Sequence, residues 1–396
     1  MSRKTIEHAD LIEAVSAGGA GCLTSNTDLL PAAGPHAAVA PAKFASKSDY
    51  GTYAYEKRYD DGELADVVLI DSKQSQLNRF EAELAKAIHD GHETLSRMPR
   101  LLVSYDRAGK LIELSDVEMP HRGFDAHFRA GYVDGTPTTQ LDFYRALRDS
   151  SPSDARALFD ASPISIVFGS WDSHRKAQQG RWRSIVTGEI IGFCAPPNKV
   201  GEEIMKGGGR IDPLGAKIEL SAAALKALME RQREGLGGAS ADEKAKKASA
   251  AGLGAIAPNL GALAGVACRR IIRSHVLSFA ALRQIRFGSG TEGDAACRAL
   301  LAALALNGLA RSDAELNLRA NCDLVEADGQ EVVIYGRGGS TVEYAPLTVD
   351  AADRLLADAL AHAEKTADVV WNGVVLRIDG DPAIVQGAGE GDGSAA

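Results

Sequence analysis

Three observations predict an α+β fold. Strand-like and helix-like segments interleave without regular alternation, which argues against a doubly wound α/β sheet. Short apolar runs such as Ala65-Asp-Val-Val-Leu-Ile70 read as buried strands, while the segment after that one carries a helical apolar stripe. There is no repeat of fixed period, which excludes a solenoid or propeller.

Residues 1–20 read as one helix, with Ile6, Leu11, Ile12 and Val15 at helical spacing. Residues 22–30 read as a strand, and the Ala/Pro/Gly segment 31–41 as loop or extended chain. Tyr53, Tyr55 and Tyr59 occupy odd positions, so a strand or hairpin puts them on one face. After the strand at 65–70, Asp71 or Ser72 caps a helix. Its Leu77, Phe80, Leu84 and Ile88 fall within about 80° of one another at about 100° per residue, and Gln74, Ser75, Asn78 and Arg79 lie on the opposite arc.

Residues 99–130 hold two short strand candidates, and 141–159 a helix broken near Ser150-Ser-Pro152. Pro163-Ile-Ser-Ile-Val-Phe168 reads as a strand, 169–180 as a polar loop and 183–193 as the next strand. A Pro/Gly-rich stretch at 196–217 and a helix at 221–233 precede a low-complexity insert at 234–257, expected to be mobile. A strand at 265–277, a helix at 295–309, a strand at 332–335, a helix at 349–364 and a segment at 369–378 complete the fold. One elaborated domain is expected over 1–385, with insertions near 31–63, 99–135 and 196–257, and a disordered acidic, Gly-rich tail at 386–396.

The 396 residues are 45% hydrophobic and 24% charged, which excludes a wholly disordered, collagen-like or coiled-coil chain. A net charge of -9 excludes a generally cationic protein, though not a local basic strip on an acidic one. Residues 350–396 carry nine acids against three bases, so the acids are segregated at one end. The five cysteines are scattered, with no zinc-knuckle spacing, and suit a reducing compartment. The N-terminus lacks the apolar core of a signal peptide, and the greasiest run, 299–306, is far short of the about 20 residues a membrane span needs. A cytoplasmic protein with no membrane partner is expected.

Nucleophilic catalysis finds no elbow motif, and Asp172-Ser-His174 is too contiguous for a triad. His121, Asp125 and His127, or His89 and His92, match no metal-ligand spacing, and surface histidines are much the better reading of them. Gly207-Gly-Gly-Arg210 lacks the Lys-Ser/Thr ending of a phosphate loop. No cofactor or metal is expected.

Basic strips are more informative. Residues 265–286 contain Arg269, Arg270, Arg273, Arg283 and Arg286 and no acid. On a strand, Arg269, Arg273 and His275 share a face, and a two-residue step of about 6.6–6.8 Å lets a cation row track an extended polynucleotide; a solvated sheet face gives the same composition. Residues 170–210 add Arg175, Lys176, Arg181, Arg183, Lys199, Lys206 and Arg210 against four acids, flanked by Trp171 and Trp182, which stack on bases or pack in a hairpin. The amide, hydroxyl and guanidinium arc of the 72–88 helix suits a nucleic-acid backbone or plain solvent.

Six segments then share one resemblance. They are Leu69-Ile-Asp-Ser-Lys-Gln-Ser-Gln-Leu-Asn-Arg-Phe-Glu81, Asp134-Gly-Thr-Pro137, Val167-Phe-Gly-Ser-Trp-Asp-Ser173, Ile211-Asp-Pro-Leu-Gly215, Val276-Leu-Ser-Phe-Ala-Ala-Leu-Arg-Gln-Ile-Arg286 and Asn321-Cys-Asp-Leu-Val325. In order and type they resemble the backbone (RAMP-superfamily) subunit of type I-G, formerly I-U, CRISPR interference complexes, across residues 64–325.

The resemblance implies an RRM-like, ferredoxin-type core with large inserted loops and a thumb-like hairpin. It implies a non-enzymatic protein that polymerises along a CRISPR RNA beside other Cascade subunits and presents the spacer to target DNA, so that base pairing does the reading. It places guide-RNA contacts on Gln74, Ser75, Asn78 and Arg79, on Arg175 and Lys176, and on Arg210. Arg183 and the Arg269/Arg273 row extend the list from charge and periodicity. Where the family carries an arginine-containing loop after its first strand, this chain has Ala37-Ala-Val-Ala-Pro-Ala-Lys43, and Lys43 or Lys47 substitutes. Rival readings are an RNA-cleaving relative using His174 or His121, and an α+β small-molecule enzyme with a Gly-rich lid at 201–215.

Overall fold

The structure is a computed structural model, and it describes residues 3–45, 52–107, 109–172, 180–194, 205–208, 220–231, 259–263 and 265–384. The chain divides into two compact units. The larger comprises Met1–Phe44, Tyr53–Pro196 and Val266–Asp381, and the smaller Ala45–Thr52, Pro197–Gly265 and Pro382–Ala396.

In the larger unit, helix α1 (His8–Val15) precedes strand β1 (Cys22–Pro31). A hairpin of β2 (Tyr55–Asp60) and β3 (Glu63–Asp71) leads into helix α2 (Lys73–His89). Strands β4 (Val186–Cys194) and β5 (Cys268–Ser278) follow, then helix α3 (Gly290–Glu315). Strands β6 (Leu324–Glu326), β7 (Glu331–Tyr335) and β8 (Thr341–Tyr344) and helix α4 (Val349–Ala367) complete this layer. The mixed α and β content with an antiparallel main sheet agrees with the α+β expectation.

The main sheet runs in the order β8–β7–β1–β5–β4–β3–β2, with β6 also paired to β1. All its pairings are antiparallel. One face is covered by helices. Leu23, Ser25, Thr27 and Leu29 of β1 stand in register with Leu277, His275, Arg273 and Ile271 of β5, and all eight are buried. The alternate residues of β1 and β5 face away from the helices and are half-buried or exposed, as period-2 alternation requires of a sheet with one covered face. A second sheet pairs Val374–Asp379 in parallel with Arg100–Arg107, which pairs in turn with Lys110–Ser115.

Helix α3 is the centre of the helical layer and packs against α1, α2 and α4. From Gly293 to Ala310 every residue is buried. The greasy run at 299–306 is thus the middle of a 26-residue helix, long and apolar enough by composition to cross a membrane; its burial marks it as a core helix of this fold. Gly308 lets α2 approach, since a Cβ there would lie 3.1 Å from that of Phe80.

Two expectations are corrected. The helix at 1–20 is confined to His8–Val15. Residues Pro163–Val167 form a helix, not a strand. All five are buried, so the run has no period to separate the two structures, and proline is well placed at the first helical position, where its missing N–H costs nothing. The insert at 234–257 and the tail at 386–396 lie outside the described residues.

In the smaller unit, Met205–Gly208 pairs with Asn259–Leu263, and helix Ala222–Arg231 buries Leu225 and Met229.

Gly188 of β4 sits opposite His275, and a Cβ there would fall 1.9 Å from the imidazole Cδ2. Gly188→Ala must displace a buried ring, so it is expected to destabilise the protein by about 2 kcal/mol, measured by urea unfolding. A change within about 0.5 kcal/mol would mean that the site has room the geometry denies.

Candidate nucleic-acid interface

The junction between β3 and α2 is built around one carboxylate. Asp71, the last residue of β3, is fully buried. Its Oδ1 accepts from the Ser75 hydroxyl at 3.0 Å, from Arg79 Nη2 at 3.2 Å and from Arg319 Nη2. Its Oδ2 accepts from Gln76 Nε2 at 2.6 Å and Arg79 Nε at 3.0 Å. Burial alone would raise this carboxyl, but the hydrogen bonds from Arg79 and Gln76 and the charges of Arg79 and Arg319 hold it below the usual carboxylate range. Ser72 caps α2, its hydroxyl accepting from Ser75 N at 3.2 Å.

The predicted polar arc therefore splits. Gln74 and Asn78 are exposed, together with Lys73 at the first helical position. Ser75 and Arg79 turn back onto Asp71, and Arg79 also donates to the Asn317 carbonyl. Lys43 is exposed and lies near this junction in space, because its neighbour Ala42 donates its N–H to the Ile70 carbonyl at 3.0 Å. Arg319 and Lys73 escaped the sequence reading. Arg319 lies 248 residues from Asp71, and no spacing connects them.

The network continues inward. The Gln76 side chain, its amide given to Asp71, accepts at Oε1 from His275 Nε2 at 3.0 Å, and Phe80 packs against the imidazole. His275 is fully buried; burial, then the nearby Arg273 charge, push its pKa down to about 3.

The arginine row at 265–286 does not face outward as a row. Arg273 and His275 share a face, but it is the covered one. Arg273 is 1% exposed, 3.3 Å from Asp313 of α3 and 3.0 Å from Glu326 of β6, with Thr27 beside it. Period 2 identifies which side chains share a face and is silent on which face is buried. Burial pushes Asp313 up to about 7 against the pull of Arg273. Arg283 donates to the carbonyls of Ala14 and Ala20, and Arg286 stands 3.8 Å from Asp294. Arg269 is exposed and bound to Asp60 at 2.8 Å.

The second site segment is a short hairpin. Ser170–Trp171 pairs with Arg181–Trp182. Trp171 is half-exposed with the Arg181 guanidinium 5.1 Å above its ring, while Trp182 is buried. Arg183 follows and is exposed. Gly169, at φ +78, lies so close to Trp182 O and Ser184 N that no Cβ fits. Arg175, Lys176 and Arg210, like Lys47 and His174, lie outside the described residues.

The motifs at 69–81 and 167–173 meet through a residue neither contains. Arg122 makes a buried bidentate pair with Glu81 and donates to the Gly169 carbonyl at 2.7 Å. Asp172 is buried and bound by Arg129 at 3.2 Å. Three of the four histidines weighed as ligands have other partners: His92 is 3.1 Å from Asp353, His89 3.4 Å from Glu118, and His127 Nδ1 2.7 Å from the Tyr105 hydroxyl. Among the described residues no group of three His, Cys, Asp or Glu side chains is placed to hold a metal ion.

A histidine whose folded pKa is about 3, against an ordinary 6.5, binds less proton folded than unfolded between those values, so its contribution to stability falls as pH falls through that window. Relative to His275→Gln, the wild type should lose about 1.4 kcal/mol per pH unit below the ordinary histidine range, read from urea unfolding across pH. Parallel curves for the two proteins would contradict a buried neutral imidazole.

No curated protein matches the chain. The family model described as CRISPR-associated protein GSU0053 matches residues 23–196, a span that holds β1, the β2–β3 hairpin, α2, both motifs joined by Arg122 and β4. That match supports a CRISPR-associated protein with a role in CRISPR defence.

Proposed function

We propose that the chain is a CRISPR-RNA-binding backbone subunit of a type I-G Cascade complex, polymerising along the guide and presenting its spacer for pairing with target DNA. It acts in the cytoplasm, beside further copies of itself and other Cascade subunits, and has no enzymatic activity of its own. Its chemistry is electrostatic: cations and backbone amides hold guide phosphates, and base pairing supplies the sequence reading.

One observation carries the RNA-binding part. The chain order β1–α2–β4–β5–α3–β7, with spatial order β7–β1–β5–β4, is a βαββαβ unit whose helices cover one face of an antiparallel sheet. This supports an RRM-like core, an arrangement that leaves a sheet face and the strand–helix junctions for single-stranded RNA. The β3–α2 junction adds Lys43, Lys73, Gln74 and Asn78, exposed around a helix start with no acid in its first turn. Trp171, Arg181 and Arg183 offer a second point, where a ring and cations suit a base and its phosphate. Arg79 and Arg273 serve this reading indirectly, by holding the junction and the sheet in shape.

The test is co-expression with a matching CRISPR array, then absorbance at 260 against 280 nm on a sizing column. Uniform RNA in a multimeric peak is expected, weakened by the triple change Lys43→Ala, Lys73→Ala and Asn78→Ala, with a salt slope near -0.7 per phosphate neutralised. A nucleic-acid-free monomer from this co-expression would contradict autonomous guide binding.

A further inference from the structure

Strands β4 and β5 lose register at one point: Phe193 pairs with Arg270 and Cys194 with Cys268, leaving Arg269 as an extra residue. Such a bulge breaks the strict alternation and brings consecutive side chains to one side. Both guanidiniums then reach the same carboxylate. Arg269 Nη2 lies 2.8 Å from Asp60 Oδ2, and Arg270 Nη1 lies 3.1 Å from Asp60 Oδ1. Arg270 also grips Asp28 of β1 through Nε at 3.2 Å and Nη2 at 3.4 Å, and Arg269 rests over the Phe193 ring at 5.4 Å.

The carboxylate arrives from far across the sheet. Asp60 ends β2, two strands beyond β4, at a tight turn where Asp61 and Gly62 both have positive φ. The tip of this hairpin exposes Tyr59 and Leu64, a cross-strand pair with 76% and 58% of their surface in solvent. Two arginines, one oxygen each, on an acid that a two-stranded arm delivers: this is the geometry of an oxyanion clamp with an internal occupant.

We propose that Arg269 and Arg270 form a clamp for one phosphate of the RNA backbone, and that Asp60 fills it in the free protein. RNA phosphate displaces the carboxylate and releases the tip of the β2–β3 hairpin, freeing the already exposed Tyr59 to move onto a base. Asp28 holds Arg270 in place throughout. This rests on the RNA-binding reading above and adds to it an internal competitor that sets affinity.

The experiment compares the full-length wild type with Asp60→Asn, Asp66→Asn and the double variant Arg269→Ala/Arg270→Ala, binding a labelled single-stranded RNA across a salt series by fluorescence anisotropy. Asp66 pairs with Lys57 on the same hairpin, so its change removes one negative charge without touching the clamp. Asp60→Asn should bind about threefold tighter, the scale of one partly exposed ion pair. Asp66→Asn should match the wild type, and the arginine double variant should lower the salt slope by about 0.7. If the wild type binds RNA while Asp60→Asn is no tighter than Asp66→Asn, or the arginine variant keeps the full slope, the clamp is wrong and the broader RNA reading stands. If the wild type binds no RNA, both fail. Hydrogen exchange on the wild type needs no variant: RNA should speed exchange of the amides at 59–64, and unchanged or slowed exchange would overturn the displacement.

Discussion

The constraint on which the larger unit depends is a single buried charge. Asp71 has no exposed surface, yet it remains ionised because four side chains from two distant parts of the chain donate to it. An unpaired carboxylate at that depth would cost several kcal/mol, so the donors and the acid specify one another. Arg319 brings the chain before β6 to the end of β3, also donating to the Ile70 carbonyl at 2.7 Å. Gln76 carries the network to His275 on β5, and with it α2 is fixed over the sheet. Apolar contacts between α2 and α3 supply burial energy, but they are tolerant of small slides; a set of directed donors is not.

The same economy explains why the conspicuous arginines are poor guides to a binding face. A charge in a sequence is neither exposed nor unpaired until the fold has placed its partners. Arg273 meets Asp313 and Glu326, Arg122 meets Glu81, and Arg270 meets Asp28 and Asp60, all across long stretches of chain. On the RNA-binding reading, the candidates for phosphate among the described residues are the exposed rim of the β3–α2 junction, the hairpin end at Trp171 and Arg183, and a pair at the β5 bulge already holding an acid.

The legible parts of the fold were those that local period controls. The apolar stripe of α2, its Ser72 cap, β1, the hairpin before α2, and the helix α4 follow from side-chain repeats within one element, while α3, buried all round, is legible from its length and apolar composition instead. The run at 163–167 did not, since uniformly buried residues carry no period. At the site, Gln74 and Asn78 were correctly placed on an exposed arc. Ser75 and Arg79 were not, because their orientation is decided by Asp71, a residue whose neighbours cap helices in many sequences and whose burial no local pattern declares. The polar character of the 69–81 motif was the available signal: side chains of that kind beside a buried strand require partners, and the partners are Arg319, His275 and Arg122.

A double-mutant cycle on Asp71 and Arg319 tests the central claim most directly. Asp71→Asn, Arg319→Gln and the pair would be compared by urea unfolding at neutral pH. If the buried carboxylate organises the junction, each single change leaves the other partner without its counter-charge, and the coupling energy should be about 2 kcal/mol or more. Additive effects, within about 0.5 kcal/mol, would show that Arg319 is a bystander and that the junction is held by its apolar contacts alone.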